Sequence, residues 1–547
     1  MAKMITCDKE LKEIALKAIT AVERAVGTTL GPSGRMVLVE QPYGAPKMTK
    51  DGVSVAKAIE FKDPIENCIT TFFKTAASHT VDQAGDGTTT SIVLAANIFK
   101  AVLKASSMGA NPVLIKEGID SALEVVVDEL NELKVVINND YEKINQVAMV
   151  SANGDQEIGN LITDAFKKIG NDGVINVEEG KTREHELKVV EGMQFDRGYI
   201  SSYFATNTEK MIAEFESPLI LIYDKKISSA QSIVPVLKLA HEKGRSLLII
   251  AEDIDGEAIS TMIVNKLRGV LQAVAVKAPG FGERRKEICQ DIATLTGATV
   301  ISEEVGYTLD KVTMEDLGTA RKIVVNANET TIIEGAGASD SVKARIKHIK
   351  KAIDDATSDY DKEKLQERLA KLTGGVAILK VGGPTEEAAK ECKDRVDDAV
   401  QAVKAAIAEG IVPGGTAALL YARRGLKKLI EKSSGDQKIG IEAIYNATEA
   451  LLQKILENAG RKDFAVVLEK IEQAHEKGEK HFGLDVRNNK FGDMLKMGVI
   501  DPAKVVRCAL QNAATTAAML LVSDVAVTII PKEEKEAAPG GMGPMGY

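Results

Sequence analysis

A glycine- and threonine-rich segment, Gly85-Asp86-Gly87-Thr88-Thr89-Thr90, has the composition of a phosphate and metal site. Its glycines let the backbone approach an anion closely, and its threonine hydroxyls add hydrogen-bond donors. Apolar residues follow at helical spacing, which predicts a helix whose free N–H groups and positive dipole end face the glycines. Asp86 adds the carboxylate that Mg²⁺ prefers. Taken alone, the segment also fits an ordinary Asp-Gly turn before a helix.

Two earlier loops carry the same kinds of groups. The first, Thr28–Gly34, lies between an amphipathic helical pattern and the strand-like run Met36–Val39, and its glycines and proline predict a turn with free amides. The second, Lys50-Asp51-Gly52, places a cation and a carboxylate beside a glycine. Each loop alone is typical of a plain turn. Together with the Gly85 segment they favour an ATP site.

The composition excludes several classes of protein. A chain of 547 residues, 44% hydrophobic and 27% charged, is typical of a soluble protein with several domains. The net charge of −9, without a basic stripe, argues against nucleic-acid binding. The five cysteines lie far apart without a Cys-x-x-Cys pair, so we expect reduced thiols rather than a zinc site or disulfides. The N-terminus lacks a signal-like apolar region and no apolar run approaches 18 residues, which predicts a cytoplasmic protein without a membrane span.

The type of secondary structure that the sequence predicts around these loops changes along the chain. The first 133 residues have a helical pattern with a short hairpin near residues 35–50. From about residue 191 apolar runs of strand length, Leu247–Ala251, Val270–Val276 and Thr299–Ser302, alternate with helical segments, which predicts an α/β module. A charged helical hairpin is predicted over Asp340–Leu372. The helical pattern returns over residues 409–530 and closes with the strand-like run Val525–Ile530.

In order along nearly the whole chain, the sequence resembles the group I (GroEL-type) chaperonins. The resemblance includes the three loops, the segments around Val190–Tyr199 and Val276–Gly282, and a Gly-Met tail. It implies a multidomain α and α/β chaperonin fold. The implied parts are a mainly helical equatorial domain (1–133 and 409–531), a small intermediate domain (134–190 and 376–408), an inserted α/β apical domain (191–375) and a disordered tail (532–547). It also implies hinges at Gly192, Gly375 and Gly410.

The resemblance implies an ATPase that uses ATP, Mg²⁺ and K⁺. In it Asp86 is the metal ligand, Asp398 orients the attacking water and Asp51 lies near the γ-phosphate. The implied ATP-binding residues are Thr29, Leu30, Gly31, Pro32, Lys50, Asp86, Gly87, Thr88, Thr89, Thr90, Gly414, Gly415, Asp485, Val486 and Asp501. In the resemblance Gly414, Gly415 and Asp501 lie on the ribose side, where the chain departs from the family pattern at Thr416, the family's third glycine. On the adenine-base side it departs at Asp485-Val486, where the family has an Asn-Ala pair.

The resemblance also implies a surface for non-native proteins and for a small co-chaperonin lid. Its residues are Tyr199, Tyr203, Phe204, Val234, Leu237, Ile259, Ile263 and Val264. The helical spacing of Val234, Leu237, Ile259 and Ile263 fits core packing as well.

Seven-membered rings and ATP-dependent folding of proteins inside a chamber are the implied assembly and function. The departures leave an alternative, a divergent chaperonin that acts as a protein-binding scaffold with weak ATPase. A small-molecule kinase has little support, because no second polar pocket is recognisable.

Overall fold

The structure is a computed structural model that describes residues 3–41, 46–137, 140–171, 173–180, 182–208, 210–303, 306–356 and 358–529, without the side chains of Asp8 and Asp359. The predicted tail, 532–547, lies outside these residues. The chain divides into two compact units. The split unit comprises Met1–Thr163 and Lys390–Tyr547, and the inserted unit comprises Asp164–Ala389. The division into three domains stays a prediction.

The split unit is mainly helical, with elements numbered along the whole chain. Its helices are α1 (Asp8–Gly27), α2 (Gly52–Ala58), α3 (Pro64–Ala84), α4 (Thr88–Ser107), α5 (Pro112–Leu133), α6 (Tyr141–Ser151), the first part of α7 (Gln156–Ile169), most of α13 (Glu386–Glu409), α14 (Ala417–Ala422), α15 (Arg424–Lys432), α16 (Gly435–Asn458), α17 (Phe464–Glu476) and α18 (Ala503–Val522). Its strands are β1 (Lys3–Cys7), β2 (Val37–Val39), β3 (Lys47–Thr49), β15 (Ile411–Pro413), β16 (Phe482–Asp485), β17 (Lys490–Asp493), β18 (Ile500–Pro502) and β19 (Val525–Ile529).

Helix α4 is the centre of the split unit. Its apolar residues are buried on nearly every side, and α18, α16, α1 and α3 pack around it. A helix that is apolar all round belongs in a core, where burial of its side chains drives folding. The predicted helix after the Gly85 segment is therefore confirmed, and it is held by both halves of the unit.

Helix α18 is the one helix of the described residues that is long and apolar enough to cross a membrane, by length and composition alone. This is weak evidence for a span, because a buried core helix meets the same criteria. In the structure 67% of that stretch is buried in the split unit. Packing in the core accounts for its apolar character.

The two ends of the chain pair with each other. Strand β1 runs antiparallel to β19 from Lys3–Ile529 to Cys7–Val525. The predicted hairpin near residues 35–50 is present as β2 and β3, paired from Val37–Thr49 to Val39–Lys47.

The inserted unit is an α/β structure, as predicted. Its strands are β4 (Val174–Glu179), β5 (Glu186–Val190), β6 (Gly192–Phe195), β7 (Ala213–Glu216), β8 (Leu219–Tyr223), β9 (Leu247–Ala251), β10 (Ala273–Lys277), β11 (Val300–Ile301), β12 (Gly318–Val325), β13 (Thr330–Gly335) and β14 (Val376–Val381). Its helices are α8 (Ala230–Glu242), α9 (Gly256–Leu267), α10 (Gly282–Thr296), α11 (Ser339–Asp355) and α12 (Asp359–Thr373), with the ends of α7 and α13.

The larger sheet has the order β10-β9-β8-β12-β13-β6. Strands β10, β9 and β8 are parallel and apolar except for Lys277 at the end of β10. Helix α8 connects β8 to β9 and α9 connects β9 to β10, and side chains of α8, α9 and α10 share the core with these strands. Strand β12 runs antiparallel to β8 and joins the parallel part to β13 and β6. A smaller sheet has the order β4-β14-β5.

The predicted charged hairpin is α11 and α12, and a buried carboxylate fastens it to α10. Asp291 is fully buried and accepts hydrogen bonds from Arg345 Nε at 2.6 Å and from Arg368 Nη2 at 3.0 Å. Glu287, one helical turn earlier, accepts from both arginines at 2.8 Å. Two helices of high charge are thus held by ion pairs on their inner face.

We predict that Asp291→Ala detaches this hairpin, because two largely buried guanidinium groups lose their main partner. The expected cost is about 3–5 kcal/mol of local stability, measured as faster amide hydrogen exchange over α11 and α12. Glu287→Ala is the matched control; its half-exposed carboxylate should cost less than about 1 kcal/mol. Equal exchange in the two variants would contradict this account.

Candidate functional site

The Gly85 segment forms the start of α4. Gly85 and Gly87 have φ values of +76° and +96°, and Gly87 is the N-cap residue, with no side chain capping the helix. The N–H groups of Thr88, Thr89 and Thr90 therefore lack intrahelical acceptors. Asp86 folds back over this end and accepts a hydrogen bond from the Gly87 N–H at 2.5 Å. The result is an anion-binding helix end with a carboxylate beside it.

The other two predicted loops meet this helix end. A Cβ atom on Gly52 would lie 2.2 Å from Thr89 Oγ1, so only glycine allows the second loop to come this close. Thr29 of the first loop shares a hydrogen bond of 3.1 Å with Thr89, hydroxyl to hydroxyl. Asp51 caps α2 by accepting from the Val53 and Ser54 N–H groups, each at 2.9 Å.

Asn458 fixes the first loop from the end of α16. Its Nδ2 donates to the carbonyl oxygens of Gly27 and Leu30, each at 2.9 Å. Gly31, with φ +80°, and Pro32 form the turn that follows. The structure thus brings the two earlier loops to the start of α4.

Aspartates from separate parts of the split unit interact at this place. Burial raises the pKa of Asp398 well above its usual range, and the negative charges of Asp86 and Asp51 raise it further. Burial also raises the pKa of Asp86, and Asp51 adds to the increase, against hydrogen bonds from the Gly87 N–H and Ser151. Burial and then Asp86 raise the pKa of Asp501 to about 6. Like charges held together in this way favour a bound cation or proton.

Lys50 is the cation that the sequence placed beside these acids. Burial lowers its pKa below the usual range, and the Arg395 guanidinium lowers it further. Its Nζ donates to Asn153 Oδ1 at 3.1 Å. An ammonium group that burial destabilises gains from an anionic ligand, and a phosphate oxygen would supply one.

The donor set fits a magnesium nucleotide better than a bare metal ion. Over the residues that the structure describes, no cluster of three or more His, Cys, Asp or Glu side chains could hold a metal ion. Mg²⁺ commonly binds through one or two carboxylates together with phosphate oxygens and water. Asp86 beside a free helix end meets that requirement.

The predicted ribose side lies across a short strand pair. Val412 of β15 faces Asp501 of β18, and the Gly415 N–H lowers the raised pKa of Asp501 by a hydrogen bond. Thr416, which follows, has φ +71°, a left-handed conformation that a β-branched residue rarely adopts. Gly414 packs directly on the backbone of Val499 and Ile500.

The predicted base-side residues, Asp485 and Val486, make their contacts within their own hairpin and the apolar cluster beside it. The Asp485 carboxylate accepts hydrogen bonds from the backbone N–H groups of Arg487 and Asn488 and from the Asn488 side chain at 2.7 Å. Val486 packs against a small apolar cluster with Leu484 and Phe491. The Asp485 side chain therefore stabilises the turn, and its predicted contact with the base stays a prediction.

Sequence reasoning missed the functional residues at the end of α6 and directly after it. Ser151 contacts Asp86, Asn153 contacts Lys50, and Asp155 lies 3.5 Å from Arg395. The one signal in the sequence was Asn153-Gly154, a pair typical of a left-handed turn.

The predicted client residues lie on the inserted unit in two environments. Tyr203 is 64% exposed, and Val234 on α8 and Val264 on α9 are exposed as well. Tyr199, Ile259 and Ile263 are partly buried against the core. Phe204 and Leu237 are buried in that core, so in this conformation they offer no surface to a partner.

The predicted hinge glycines lie at junctions between elements. Gly192 opens β6, and Gly375, with φ +64°, precedes β14. Gly410, with φ +87°, lies between α13 and β15. Their role as hinges stays a prediction.

The model of the TCP-1/cpn60 chaperonin family matches residues 22–530 of this chain. The match includes all three loops around the start of α4 in the split unit and the whole inserted unit.

We predict that Asp501→Asn stabilises the nucleotide-free protein at pH 7.5 by about 1–3 kcal/mol. The native pKa of about 6 lies above the ordinary value, so the native state binds the proton more tightly than the unfolded state does. Stability from this carboxyl is present below about pH 4 and is lost as the pH rises through 6. Asparagine avoids that loss. Urea unfolding followed by far-UV circular dichroism at pH 7.5 and pH 4 measures the difference.

Asp128→Asn, on an exposed face of α5, is the control and should change stability little at either pH. A gain for Asp501→Asn of the same size at both pH values would refute the electrostatic explanation.

Proposed function

This chain belongs to the TCP-1/cpn60 chaperonin family, and on that basis we propose that it is a group I chaperonin whose ATP hydrolysis drives the folding of captured proteins. Membership itself carries a chaperone role in protein folding, binding of substrate proteins and assembly into oligomeric rings. The proposal adds the nucleotide, the chemistry, the lid and the ring size.

The observation that carries the ATPase proposal is the convergence at the start of α4. Three glycine-containing loops, a free helix end and the interacting carboxylates of Asp51, Asp86 and Asp398 meet there. Phosphoryl transfer needs positioning and neutralisation of charge more than covalent help. These groups can supply both.

Each residue has a distinct role in the proposed reaction. The amides of Thr88, Thr89 and Thr90 and the Lys50 ammonium group hold phosphate oxygens, and Asp86 holds the metal ion. Mg²⁺, when bound, supplies positive charge against the phosphates and the carboxylates. Asp398 orients the attacking water and accepts its proton at a carboxylate oxygen, for which its raised pKa makes it a suitable base. K⁺ is a further proposed cation.

Exposed apolar side chains on the inserted unit support the capture of non-native proteins. Tyr203, Val234 and Val264 are accompanied by Leu267 at the end of α9, which is 68% exposed. Exposed apolar residues on neighbouring elements suit partners that share only unfolded, apolar segments. We propose that the same surface binds a small co-chaperonin lid.

Two exposed ribbons of the split unit support self-association. Ile5 of β1 and Val527 of β19 point outward, as do Leu38 of β2 and Met48 of β3. Among the described residues each ribbon has only two strands, so each leaves unpaired edges that can pair with another chain. We propose rings of seven subunits, located in the cytoplasm, from the resemblance to group I chaperonins.

We predict that Asp398→Ala reduces ATP hydrolysis by about 100-fold or more, because the water loses its base. Nucleotide binding should persist, since Asp86 and Lys50 are unchanged. Phosphate release and calorimetric binding of ADP with Mg²⁺ measure the two effects.

Asp397→Ala removes the same charge from the adjacent position of α13 and is the matched control; it should hydrolyse ATP at a rate within about tenfold of wild type. Unimpaired hydrolysis by Asp398→Ala would refute its role. A wild-type protein that binds clients and lacks hydrolysis would favour the scaffold.

We predict that Tyr203→Glu abolishes capture of a denatured client and leaves basal ATPase unchanged. A charge would replace the most exposed aromatic ring among the predicted client residues, on the unit that lacks the nucleotide loops. Tyr203→Phe keeps the apolar ring and should capture the client normally. Co-sedimentation with the denatured client measures capture, and normal capture by Tyr203→Glu would refute the surface assignment.

A further inference from the structure

Arg487 extends from the turn between β16 and β17 toward the phosphate side of the proposed nucleotide site. Its backbone is fixed, because its N–H donates to the Asp485 carboxylate at 3.0 Å. Its side chain leaves the turn, and Nη1 donates to the Asn153 carbonyl oxygen at 3.0 Å. Arg487 thus joins two segments that are more than 300 residues apart in the sequence.

The receiving segment is shaped for this guanidinium group. After α6, Asn153 and Gly154 adopt left-handed conformations with φ values of +58° and +78°. A Cβ atom on Gly154 would lie 1.3 Å from Arg487 Nη1, so a larger residue here would displace the exposed end of the Arg487 side chain. The Gly154 N–H donates to the Met149 carbonyl oxygen at 2.6 Å and closes the turn on the helix.

Asn153 connects this turn to the phosphate side. Its backbone accepts from Arg487, and its side-chain Oδ1 accepts from Lys50 Nζ at 3.1 Å. Two residues earlier, Ser151 contacts Asp86. A restraint on the backbone of Asn153 is therefore also a restraint on the position of the Lys50 ammonium group.

We propose that Arg487 is a positioning residue for nucleotide binding, which through Asn153 couples the base-side turn to the phosphate-binding Lys50. The inference rests on the proposed function, since it assumes that a nucleotide occupies this site. Without Arg487 the turn after α6 loses its anchor and Lys50 is no longer held ready for phosphate. The loss affects binding more than chemistry, because Asp398 lies on α13 and the Gly87 N–H still holds Asp86.

The test compares Arg487→Ala with Lys490→Ala, which removes an exposed positive charge from the same hairpin. In nucleotide-free protein, Arg487→Ala should speed amide hydrogen exchange at residues 152–155, and Lys490→Ala should leave it unchanged. Calorimetry with ADP and Mg²⁺ should show the Kd raised roughly fivefold or more by Arg487→Ala alone. In steady state the KM for ATP should rise by a similar factor, with kcat within about twofold of wild type.

A double-mutant cycle separates positioning from direct contact. Asn153→Gly removes the acceptor of Lys50 and still permits the left-handed backbone. If Arg487 acts through Asn153, adding Arg487→Ala to this variant should change the Kd by less than about twofold. Independent, multiplying effects would overturn the positioning role in favour of direct binding of the nucleotide by Arg487.

Three further results would each overturn the inference about Arg487. Unchanged hydrogen exchange and unchanged Kd in Arg487→Ala would overturn the inference while the proposed function stands. Wild-type protein that binds no ADP would overturn the proposed function and the inference with it. Equal loss of affinity in Lys490→Ala would show a general charge effect and overturn the specific role of Arg487.

Discussion

The concentration of negative charge beside the start of α4 is the constraint on which the rest of the split unit depends. Burial raises the pKa values of Asp86 and Asp398, the charge of Asp51 raises both further, and Asp86 adds to the increase at Asp398. Because repulsion of this kind would push the loops apart, other interactions must hold them. Lys50, the cation next to Asp51 in the sequence, has an ammonium group that is itself destabilised by burial. A cation and an anion bound together, as in the proposed magnesium nucleotide, would offset both effects.

Packing of apolar helices holds the charges in place. Helix α4 is enclosed by α18, α16, α1 and α3, so its N-terminus has one position relative to the core. Each acidic residue is then attached at the end of a packed element or within one: Asp51 caps α2, Asp398 lies on α13 and Asp501 lies in β18. Burial of many apolar side chains offsets the electrostatic cost of bringing these groups together.

Much of this arrangement could be predicted from local sequence. The helix after the Gly85 segment, the hairpin of β2 and β3, the charged pair α11 and α12 and strand β9 follow from periodicity and turn residues, which act over a few positions. Strand β10 begins at Ala273, three residues later than the apolar run starting at Val270, because the Val270 N–H still bonds to Asn265 after α9. Contacts between residues that are far apart in the sequence could not be predicted in this way. Nothing local in the sequence indicates that Asn153 meets both Lys50 and Arg487.

Local sequence also could not predict which of the predicted client residues are buried and which are exposed. Phe204 and Val234 are both apolar and both belong to the residues predicted for the client surface, yet Phe204 is buried and Val234 is exposed. Helical spacing allowed either outcome, because a helix on a sheet has one buried and one free face. Leu237 and Val234, three residues apart on α8, fall on opposite sides of that boundary. Only the packing of α8 on its own unit decides between them.

The ribose side illustrates how a departure from the family pattern is accommodated. Thr416 keeps the left-handed backbone that suits a glycine, and its buried Oγ1 has no hydrogen-bond partner. Such a conformation costs a β-branched residue on the order of 1–3 kcal/mol, and it persists because the segments on both sides are fixed. Gly414 bonds to Val499 before it, and α14 is packed in the core after it. The backbone path around Asp501 is therefore imposed by β15, β18 and α14, and the side chain at position 416 adapts to that path.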